Sequence, residues 1–549
     1  MSDTQQEPQE PAGLSPAARR KRTRRRGWLI ASAVVAVVAI VTTTVVVLNN
    51  SSDANSASAA AADSDVPKTI TVALTIEPDW DPLGTIGGGG VLPAQSLVYD
   101  ALIRQDAEEN LTPALAESWE YSEDGLTLTF HLREGLTFSD GAAFDADAVK
   151  KHFDRALANG NAYNYSGLPD VESVTAVDEH TVAFNLAKVN YQLPALLTSS
   201  TKNALIPSPN ATPESLVTTP VGNGPFIVEE IFVDDHYVLV KNPDYWDADS
   251  IDVDRIEFYG TADPSSVVSA VQTGVYDIAW VQPAQVQEAE EAGLGITKSD
   301  AKVTTTLQFN VNKAPFDDER IVEALKYAID REKAVETLTF GLASPAYQPF
   351  LEGTRGYVDD LEGSWEYDPE KAQELLAEAG YDESNPLTFT YLVSETGART
   401  AEFYQQELAA IGVDVTIETV PAATAFSRIT QGKEAVISSG FAPEKRTIQS
   451  LANVYGPTGT INLSTAPYLN EPIWDIISTK LGSSPLDSDE YAADLEDIAR
   501  EAVATYPHLY LYSNSSYLVH NDRVSELNIP VVASYAVTLR WEDVEVAAE

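Results

Sequence analysis

Apolar and polar positions alternate with a period of two in several short stretches, which is the pattern of half-buried β-strands. These stretches are residues 69–76, 126–132, 174–177 and 181–186. Elsewhere apolar residues recur with helical spacing. The predicted helices are residues 93–103, 146–157, 264–272, 319–328, 369–379, 400–410 and 489–505. Strands therefore interleave with helices and no internal repeat is visible, so we predict an α/β (mixed α+β) fold.

Turn and capping signals are densest between residues 119 and 149. The pairs Asp124-Gly125 and Asp140-Gly141 are turn signals on either side of the strand predicted at 126–132. Asp145 stands directly before the helical run 146–157, where an N-cap is expected. The segment therefore encodes a hairpin, a turn and a helix start in that order.

The same segment carries a resemblance to a known family. Its motifs are Pro113-Ala-Leu-Ala-Glu-Ser-Trp119, Asp124-Gly-x-x-x-Thr-Phe-x-Leu-Arg133 and Phe138-Ser-Asp-Gly-x-x-Phe144. They are similar to the signature of extracellular solute-binding proteins of the peptide/nickel family (family 5), the ligand-capturing subunits of ABC importers. Further segments agree in the same order, namely Val221-Gly-Asn-Gly-Pro-Phe226, Lys241-Asn-Pro-Asp-Tyr-Trp246, residues 309–331 and Tyr367-Asp-Pro-Glu-Lys-Ala372. The resemblance spans about residues 68–541.

This resemblance implies a two-lobed, periplasmic-binding-protein-like fold with a subdomain inserted in the N-terminal lobe. Carried over to this sequence, the boundaries are residues 66–100, 205–305 and 515–549 for lobe I, 101–204 for the inserted subdomain and 306–514 for lobe II. Ligands of such proteins bind between lobes that close about a hinge. We therefore expect a small-molecule site between the two lobes.

The first 65 residues have a different character. Residues 28–48 are uncharged and mostly apolar. As a helix they would span about 31 Å, close to the thickness of a bilayer's hydrocarbon core. Seven Arg and Lys residues stand just before them, which predicts a basic cytoplasmic segment at 1–27 and the bulk of the chain outside. Residues 49–65, rich in Ser, Ala and Asn, are typical of a flexible linker.

Two interpretations of the apolar run stay open. It is either a transmembrane signal anchor that stays in the cell membrane, which we favour, or an export signal cleaved near Ala57-Ser58-Ala59. The run is longer than the usual core of a signal peptide and ends about ten residues before that site. These features favour the anchor.

Composition narrows the classes of function. The chain has 35 basic and 83 acidic residues and a net charge of −48 at pH 7, which argues against binding nucleic acid or lying on anionic lipid. It has no cysteine, which excludes disulfides, thiolate metal sites and a cysteine nucleophile. No motif of a hydrolase, zinc protease or phosphate-binding loop is present. We therefore expect a monomer with no catalytic residue, no cofactor and no resident metal.

Candidate ligand-binding residues come from segments that flank the cleft in the family. Gly88 and Gly89 lie in a run of four glycines, where the backbone could approach a ligand closely. Aromatic side chains offer apolar area with little entropy to lose. The aromatic candidates are Trp80, Tyr99, Trp280, Tyr404, Phe441, Tyr468 and Trp474. Trp80 and Phe441 are favoured because each adjoins an irregular segment, and Arg399, Lys445 and Arg446 are the cationic candidates.

The loop after Phe441 departs from the peptide-binding pattern. Peptide-binding relatives usually carry an Asp-Pro-containing loop here, whose carboxylate holds the α-amino group of the peptide. This chain has Lys445 and Arg446 instead. A cation repels an ammonium, whereas Arg can bind a carboxylate through two parallel hydrogen bonds. The expected ligand is an oligopeptide or similar small organic molecule, or alternatively a nickel or other metal chelate with an anionic chelator.

An ABC permease is the partner that the resemblance implies. Two functions of other kinds compete with transport. An extracellular hydrolase is disfavoured because no catalytic motif is present. A sensory protein on the same fold would present its ligand state to a signalling protein, and the sequence leaves that option open.

Overall fold

The chain forms two compact units, Met1–Asp65 and Val66–Glu549. The computed structural model describes residues 67–73, 80–84, 92–106, 110–158, 168, 170–232, 235–259, 265–299, 303–394, 397–429, 431–441, 447–456, 472–505, 507–525, 527 and 539–547. The predicted basic segment, membrane helix (28–48) and linker lie outside the described residues, as does the possible cleavage site. Across the described ranges, no helix combines the length and apolar character needed to cross a bilayer.

The described strands confirm the alternating stretches seen in the sequence. In chain order they are β1 (Thr69–Ala73), β2 (Ile103–Gln105), β3 (Leu111–Pro113), β4 (Ala116–Tyr121), β5 (Thr127–Leu132), β6 (Val171–Asp178), β7 (Thr181–Leu186), β8 (Phe226–Phe232), β9 (His236–Lys241), β10 (Arg255–Tyr259), β11 (Ile278–Val281), β12 (Gly295–Lys298), β13 (Val303–Phe309), β14 (Leu387–Ser394), β15 (Val413–Val420), β16 (Val436–Phe441), β17 (His508–Asn514), β18 (Tyr517–His520), β19 (Val524–Ser525) and β20 (Glu545–Val546). Together with the helices they form the mixed α/β fold that the sequence predicts.

The described helices also agree with most of the predicted ones. They are α1 (Leu92–Val98), α2 (Ala146–Ala158), α3 (Leu193–Leu196), α4 (Pro213–Leu216), α5 (Val267–Gln272), α6 (Pro283–Glu291), α7 (Glu319–Tyr327), α8 (Arg331–Thr339), α9 (Pro369–Glu378), α10 (Ala398–Ala409), α11 (Ala422–Ile429), α12 (Thr447–Tyr455) and α13 (Asp489–Thr505). Asp145 caps α2 as predicted, because its carboxylate accepts a hydrogen bond from the Ala148 amide at 2.9 Å.

The helix predicted at residues 93–103 is shorter in the structure. Helix α1 ends at Val98, and residues 103–105 form a strand instead. The backbone amide of Gly224 donates to the Val98 carbonyl at 2.9 Å, and the Asp100 carboxylate accepts from the Ala101 amide at 2.8 Å. These tertiary and local bonds take the place of the next helical turn and are invisible to local periodicity.

Two sheets dominate the second unit. The larger has seven strands in the order β12-β18-β11-β1-β10-β9-β8, and the other has three strands in the order β16-β13-β17. In the larger sheet β1 runs parallel to both β10 and β11. In the three-stranded sheet β13 is antiparallel to both neighbours. Each sheet has a hydrophobic core of its own, and the division into lobes stays a prediction.

The seven-stranded sheet draws its strands from distant parts of the chain. Strand β18 comes from residues 517–520 and lies between β11 and β12, pairing antiparallel with each of them. The sheet is therefore completed only by a segment that returns after the three-stranded sheet has been formed along the chain.

A third core belongs to residues 102–206. The antiparallel sheet β4-β5-β7-β6 packs with α2 around a cluster of aromatic rings. Phe184 meets Phe130 and Phe153 edge to face, with ring centroids 5.5 and 4.9 Å apart. Such aromatic pairs stabilise a small core beyond their buried area.

A fourth core joins helices that lie between β16 and β17 in the chain. It contains α12, the helical segment 472–483 and α13, together with Phe350 and Val358. We call this group the helical module. It contacts the three-stranded sheet through the hydroxyls of Tyr455 and Tyr510, which lie 3.0 Å apart.

The segments that carry the family resemblance interlock around Asp100. Its carboxylate accepts hydrogen bonds from the Trp246 indole at 3.0 Å and from the Tyr245 hydroxyl at 3.2 Å, and it pairs with Arg104. In turn, the Asn242 side chain donates to the Gly224 carbonyl at 2.9 Å. The motifs at 221–226 and 241–246 therefore hold the structure together just before β2.

Acid is expected to destabilise this protein through a buried histidine. His152 of α2 is 4% exposed, and its Nε2 lies 2.8 Å from the Asn203 carbonyl. Burial, with a smaller contribution from Arg155, lowers the pKa of His152 from 6.5 to about 4. The unfolded chain therefore binds more protons between these values, so stability is present above about pH 6.5 and is lost as the pH falls toward 4. Burial also lowers the pKa of His508, which acts in the same direction.

We expect the free energy of unfolding to fall by about 2 kcal/mol between pH 7 and 4.5 through His152 alone. Urea unfolding followed by circular dichroism at both pH values measures it. The His152→Gln variant should lose less stability on acidification than the wild type, whereas His131→Gln, at an exposed position, should behave like the wild type. Equal acid sensitivity in all three proteins would contradict the assignment.

Candidate functional site

The chain crosses twice between the seven-stranded and the three-stranded sheet. One crossing leads from β12 to β13 and the other from β17 to β18. The two crossing segments are hydrogen bonded to each other, because the Ser299 amide donates to the Ser516 carbonyl at 2.9 Å and the Ser516 amide donates to Ser299 Oγ at 2.8 Å. Hinges consist of a few loop or element-terminal residues, so these two connections are the candidate hinge.

A second layer of contacts surrounds the crossing. The Leu342 carbonyl accepts hydrogen bonds from Lys298 Nζ at 3.2 Å and from the Tyr517 hydroxyl at 3.3 Å. The Lys298 ammonium also lies 5.9 Å from the centre of the Tyr517 ring. Burial raises the pKa of Tyr517, so this residue stays a neutral hydrogen-bond donor at neutral pH.

The carboxyl ends of the parallel strands lie beside this crossing. In the register, Ala73 at the end of β1 lies between Tyr259 of β10 and Ala279 of β11. Val281, the last residue of β11, pairs with Tyr517 at the start of β18. In open α/β sheets, ligands bind outside the carboxyl ends of the strands. The candidate site is therefore this edge, bounded on one side by the crossing.

The three-stranded sheet presents one of its ends at the same crossing. Phe441, the last residue of β16, pairs with Thr304 of β13, and Thr304 pairs with Ser513 of β17. Ser513 and Ser344 are joined by two hydrogen bonds of 2.8 and 2.9 Å. Phe441 thus places the start of the loop 442–446 at the crossing end of this sheet.

The described part of the edge includes tyrosine and tryptophan residues. Burial and the nearby Glu257 carboxylate raise the pKa of Tyr259, which keeps its hydroxyl protonated. Trp280 is half-buried on β11 and pairs with Leu518. Within the described ranges, no group of three or more His, Asp or Glu side chains could hold a metal ion. Trp280 packs against the core that contains Trp80, whereas Tyr259 packs against a separate core that contains Tyr517.

Trp80 lies in the core beneath this edge. It is 2% exposed and meets Tyr237 edge to face at 5.4 Å. Its carbonyl accepts a hydrogen bond from the Tyr99 hydroxyl at 2.7 Å. Its indole nitrogen is buried and has no hydrogen-bond partner among the described residues. Trp80 and Tyr99 therefore support the segments on either side of residues 85–91, and direct binding by Trp80 stays a prediction.

The other candidates fall at separate places. Arg399 is exposed near the start of α10, where it donates to the Thr337 carbonyl at 2.7 Å and stacks on Phe340 at 4.7 Å. Tyr404 is fully buried in the core of the three-stranded sheet, and Trp474 packs against the helical module. Phe441 and Trp280 lie next to the crossing, whereas Arg399, Tyr404 and Trp474 lie elsewhere.

Four of the predicted binding residues lie outside the described parts of the chain. They are Gly88, Gly89, Lys445 and Arg446, and the aromatic candidate Tyr468 is likewise outside. The described structure nevertheless fixes the ends of both loops. Residues 85–91 lie between Gly84 and α1, and residues 442–446 lie between Phe441 and α12.

Sequence reasoning missed the residues of the crossing itself. Lys298 and Ser299, the Leu342 carbonyl and Ser516 carry no motif and come from three separate parts of the chain. One signal was available, because the run Ser513-Asn-Ser-Ser516 interrupts two otherwise apolar strands. Such a polar break between strands is typical of a connection that leaves one sheet for another.

Comparison with known proteins identifies the family. A family model described as "Bacterial extracellular solute-binding proteins, family 5 Middle" matches residues 110–461. The match covers more than half of the chain and runs from just before β3 to just after α12.

Two curated relatives illustrate the similarity. The glutathione-binding protein GsiB of Salmonella paratyphi A is 31% identical over 334 residues, which are 59% of this chain and 64% of the relative. The chain thus spans less than two thirds of that relative's length. Di/tripeptide-binding protein 2 of Pseudomonas aeruginosa is 30% identical over 386 residues, which are 64% of this chain and 72% of the relative.

Solved structures share the fold. The periplasmic binding protein DppA of Helicobacter pylori, in complex with the peptide STSA, matches with a TM-score of 0.76 and 24% identity, covering 88% of this chain and 98% of that one. NikA of Brucella suis, in complex with Fe(III)-EDTA, matches with a TM-score of 0.75 and 23% identity, covering 87% and 100%. At this level of identity the likeness concerns the fold alone.

Proposed function

This chain belongs to the bacterial extracellular solute-binding proteins of family 5, and from that membership we propose that it captures a small organic solute between two lobes and delivers it to the permease of an ABC importer. Binding involves no covalent chemistry. Selectivity comes from differential affinity, and closure of the lobes is the population shift that the permease reads. The solute is an oligopeptide or a similar small molecule.

One observation carries the proposal. The carboxyl ends of β1, β10 and β11 lie beside a double strand crossing, and Phe441 at the end of β16 reaches the same crossing. This puts a sheet edge suited to ligands next to the point about which two halves of the chain can rotate. The relatives named for their ligands, glutathione and di- and tripeptides among them, support a peptide-like solute.

The charge of the loop after Phe441 supports a carboxylate-bearing solute. Lys445 and Arg446 would stand at the candidate site if the loop leaves β16 in the direction of the crossing. Guanidinium and ammonium groups bind carboxylates through charge-assisted hydrogen bonds. A peptide with additional carboxylates, such as glutathione, satisfies these cations better than a dipeptide with one carboxylate.

The alternative is a metal chelate. Its support is the shared fold with NikA bound to Fe(III)-EDTA and the presence of two cations in the loop. A polycarboxylate chelator would present its anionic oxygens to Lys445 and Arg446 and bring its own metal as cargo. This is a variant of the same function with a different solute.

The proposed location is the outer face of the cell membrane. Residues 28–48 would anchor the chain in the membrane, with residues 49–65 as a tether to the second compact unit. A fragment that begins at residue 63 should be a soluble monomer. Sedimentation of that fragment and of the full chain with membranes checks the proposal, and a membrane-bound fragment would contradict it.

Native mass spectrometry of the fragment from residue 63, with metal analysis of the same sample, distinguishes an oligopeptide solute from a metal chelate. A co-purifying mixture of peptides supports the oligopeptide. A bound metal together with one discrete organic mass supports the chelate. Added glutathione, the peptide Ser-Thr-Ser-Ala and nickel(II)-histidine should each be tested for binding to a ligand-free sample.

Changing Lys445 and Arg446 together to alanine should weaken the binding of glutathione at least about tenfold. The reason is the loss of charge-assisted hydrogen bonds, each of which typically contributes about 1.5 to 3 kcal/mol. Isothermal titration calorimetry on the soluble fragment measures the dissociation constant.

A matched control removes the same charge elsewhere. Lys433 lies before Val436, at the opposite end of β16 from Phe441, and Lys371 is on α9. The double change Lys371→Ala and Lys433→Ala should leave the affinity for glutathione unchanged. If the two double variants bind glutathione equally well, the loop 442–446 is not part of the binding site.

A further inference from the structure

A short segment of the inserted subdomain touches the helical module. The segment is residues 188–192, between β7 and α3, and we call it the bridging segment. The Tyr191 amide donates to the Gly482 carbonyl at 2.8 Å, and Lys188 Nζ donates to the Ser478 carbonyl at 2.9 Å. The contact joins parts of the chain that are almost 300 residues apart and lie in different hydrophobic cores.

Gln192 is the centre of this contact. Its side chain is fully buried, and both the nitrogen and the oxygen of its side-chain amide are hydrogen bonded to the helical module. Nε2 donates to the Leu481 carbonyl at 3.0 Å, and Oε1 accepts from the Ile448 amide at 3.1 Å. Both groups belong to helix ends, where backbone amides and carbonyls lack partners within the helix. Gln192 therefore completes the hydrogen bonding of two helix ends at once.

The bridging segment is held rigidly by its own subdomain. The side-chain oxygen of Asn190 accepts a hydrogen bond from the backbone amide of Gln192 at 3.0 Å. The side-chain nitrogen of Asn190 donates to the Asp170 carboxylate at 3.0 Å. The Asn190 carbonyl accepts a short hydrogen bond of 2.6 Å from the Tyr121 hydroxyl. Gln192 is therefore presented to the helical module in a fixed position.

The bridge ends next to the predicted binding loop. Ile448 is the second residue of α12, and α12 directly follows residues 442–446, which include Lys445 and Arg446. The other end of that loop is Phe441, at the strand crossing. The halves of the molecule on either side of the candidate site are thus joined by the crossing and, separately, by the bridging segment.

We propose that Gln192 is a positioning residue that stabilises the closed arrangement of the two halves by hydrogen bonding the start of α12, and so raises the affinity for the solute without touching it. This inference rests on the proposed function, because it assumes that the halves separate when the solute leaves. The inserted subdomain then acts as a docking surface for the helical module during closure.

The contact is suited to being made and broken. When the halves separate, water can bond the Gln192 amide, the Ile448 amide and the Leu481 carbonyl, so the net contribution of each hydrogen bond is modest. Losing two of them should shift the ratio of closed to open molecules by about tenfold. A change of that size alters affinity without preventing release.

The test uses the near-isosteric change Gln192→Met, which keeps the volume and removes both hydrogen bonds. Since the chain has no cysteine, cysteines introduced at the exposed positions Glu172 and Glu496 can carry spin labels without side reactions. Double electron–electron resonance on the full chain then gives the distance between the inserted subdomain and the helical module. In Gln192→Met we expect the ratio of molecules with the longer distance to molecules with the shorter distance to rise about tenfold, both with and without glutathione as the probe.

Gln348→Met is the matched control. Gln348 is equally buried, and its amide also bridges two backbone groups, the carbonyl and the amide of Val358 at 2.8 and 3.0 Å. Both ends of that bridge lie on the same side of the crossing. The control should lower thermal stability to a similar extent and leave the distance distribution unchanged.

The outcomes separate this inference from the proposed function. Identical distance distributions for Gln192→Met and the wild type, with and without glutathione, would overturn the role of Gln192 even if glutathione binds. A longer distance in a protein that binds no probe supports the bridge and counts against the proposed solute. Should Gln192→Met fail to fold, Lys188→Met removes an exposed hydrogen bond of the same contact, and a smaller shift in the same direction is expected.

Discussion

Replacing Asp277 by alanine should destabilise the seven-stranded sheet by about 3 kcal/mol or more, because it leaves a buried network without its central acceptor. Asp277 immediately precedes β11, and its side chain is 2% exposed. Its carboxylate accepts hydrogen bonds from the Thr71 amide at 2.9 Å and the Thr71 hydroxyl at 3.0 Å. It also accepts from Asn521 at 2.8 Å and from Arg523 at 3.0 Å.

These partners explain the size of the effect. Thr71 belongs to β1, whereas Asn521 and Arg523 follow β18, so one carboxylate joins the first strand of the sheet to the returning end of the chain. The Arg523 side chain is one-third exposed, which lets solvent weaken that ion pair. The Asp277 hydrogen bonds to the Thr71 amide and to the Asn521 side chain are part-buried, and their loss carries most of the expected cost.

Urea unfolding of the fragment from residue 63, followed by circular dichroism, measures the change. Asp487→Ala is the matched control, because Asp487 forms an Arg–Asp pair with Arg355 at 2.7 Å that is largely exposed. Its loss should alter stability by no more than about 1 kcal/mol. Asp277→Asn, which keeps the volume and part of the hydrogen bonding, should fall between the two. Comparable midpoints for Asp277→Ala and Asp487→Ala would show that the network contributes little.

Replacing Gly222 by alanine should push the segment before β8 away from the end of α1 and destabilise the protein. A Cβ atom at Gly222 would lie 2.0 Å from the Val98 carbonyl oxygen and 2.6 Å from the Tyr99 ring. The Val98 backbone cannot withdraw, since its carbonyl accepts the Gly224 amide hydrogen bond. Overpacking against fixed backbone costs about 3 kcal/mol or more, and the displaced Tyr99 would release its hydrogen bond to Trp80.

The control for this variant is Gly141→Ala. Gly141 has φ of +81°, and a Cβ atom added there would meet nothing within 4 Å, so its substitution strains the backbone without a clash. That strain should amount to about 1 to 2 kcal/mol. Thermal unfolding and limited proteolysis of both variants distinguish the two effects. A Gly222→Ala protein as stable as Gly141→Ala would mean that the close approach to Val98 is absent in solution.

Much of the fold could be predicted from local pattern. The helix at residues 489–505 was predicted with the bounds that the structure has, and the strands β6 and β7 were recognised from alternation. The prediction failed at α1, where the Val98 carbonyl bonds the Gly224 amide and, just beyond the helix, the Asp100 carboxylate bonds the Ala101 amide. Local periodicity reports which face of an element is buried and says nothing of a distant segment that ends it.

The candidate site could be predicted only in part. Phe441 and Trp280 were chosen from the sequence, and they lie at sheet ends that border the crossing. The crossing residues were not found, since Ser299 and Ser516 act through backbone and hydroxyl groups that any polar residue in a loop could supply. Trp80 was chosen because it adjoins an irregular segment, yet its ring packs in the core. In the sequence, an aromatic residue beside a loop has the same signature whether its ring packs in the core or lines a binding site.

The position of β18 has a consequence for biosynthesis. Strands β11 and β12 are made early, but the strand that separates them in the sheet comes from residues 517–520. Until that segment has been translated and exported, the facing edges of β11 and β12 stay unpaired, and unpaired edges invite pairing with other chains. The sheet formed in the first half of this protein therefore depends on a strand made close to the end of synthesis, and a chain interrupted before residue 517 is expected to require protection by chaperones or to be degraded.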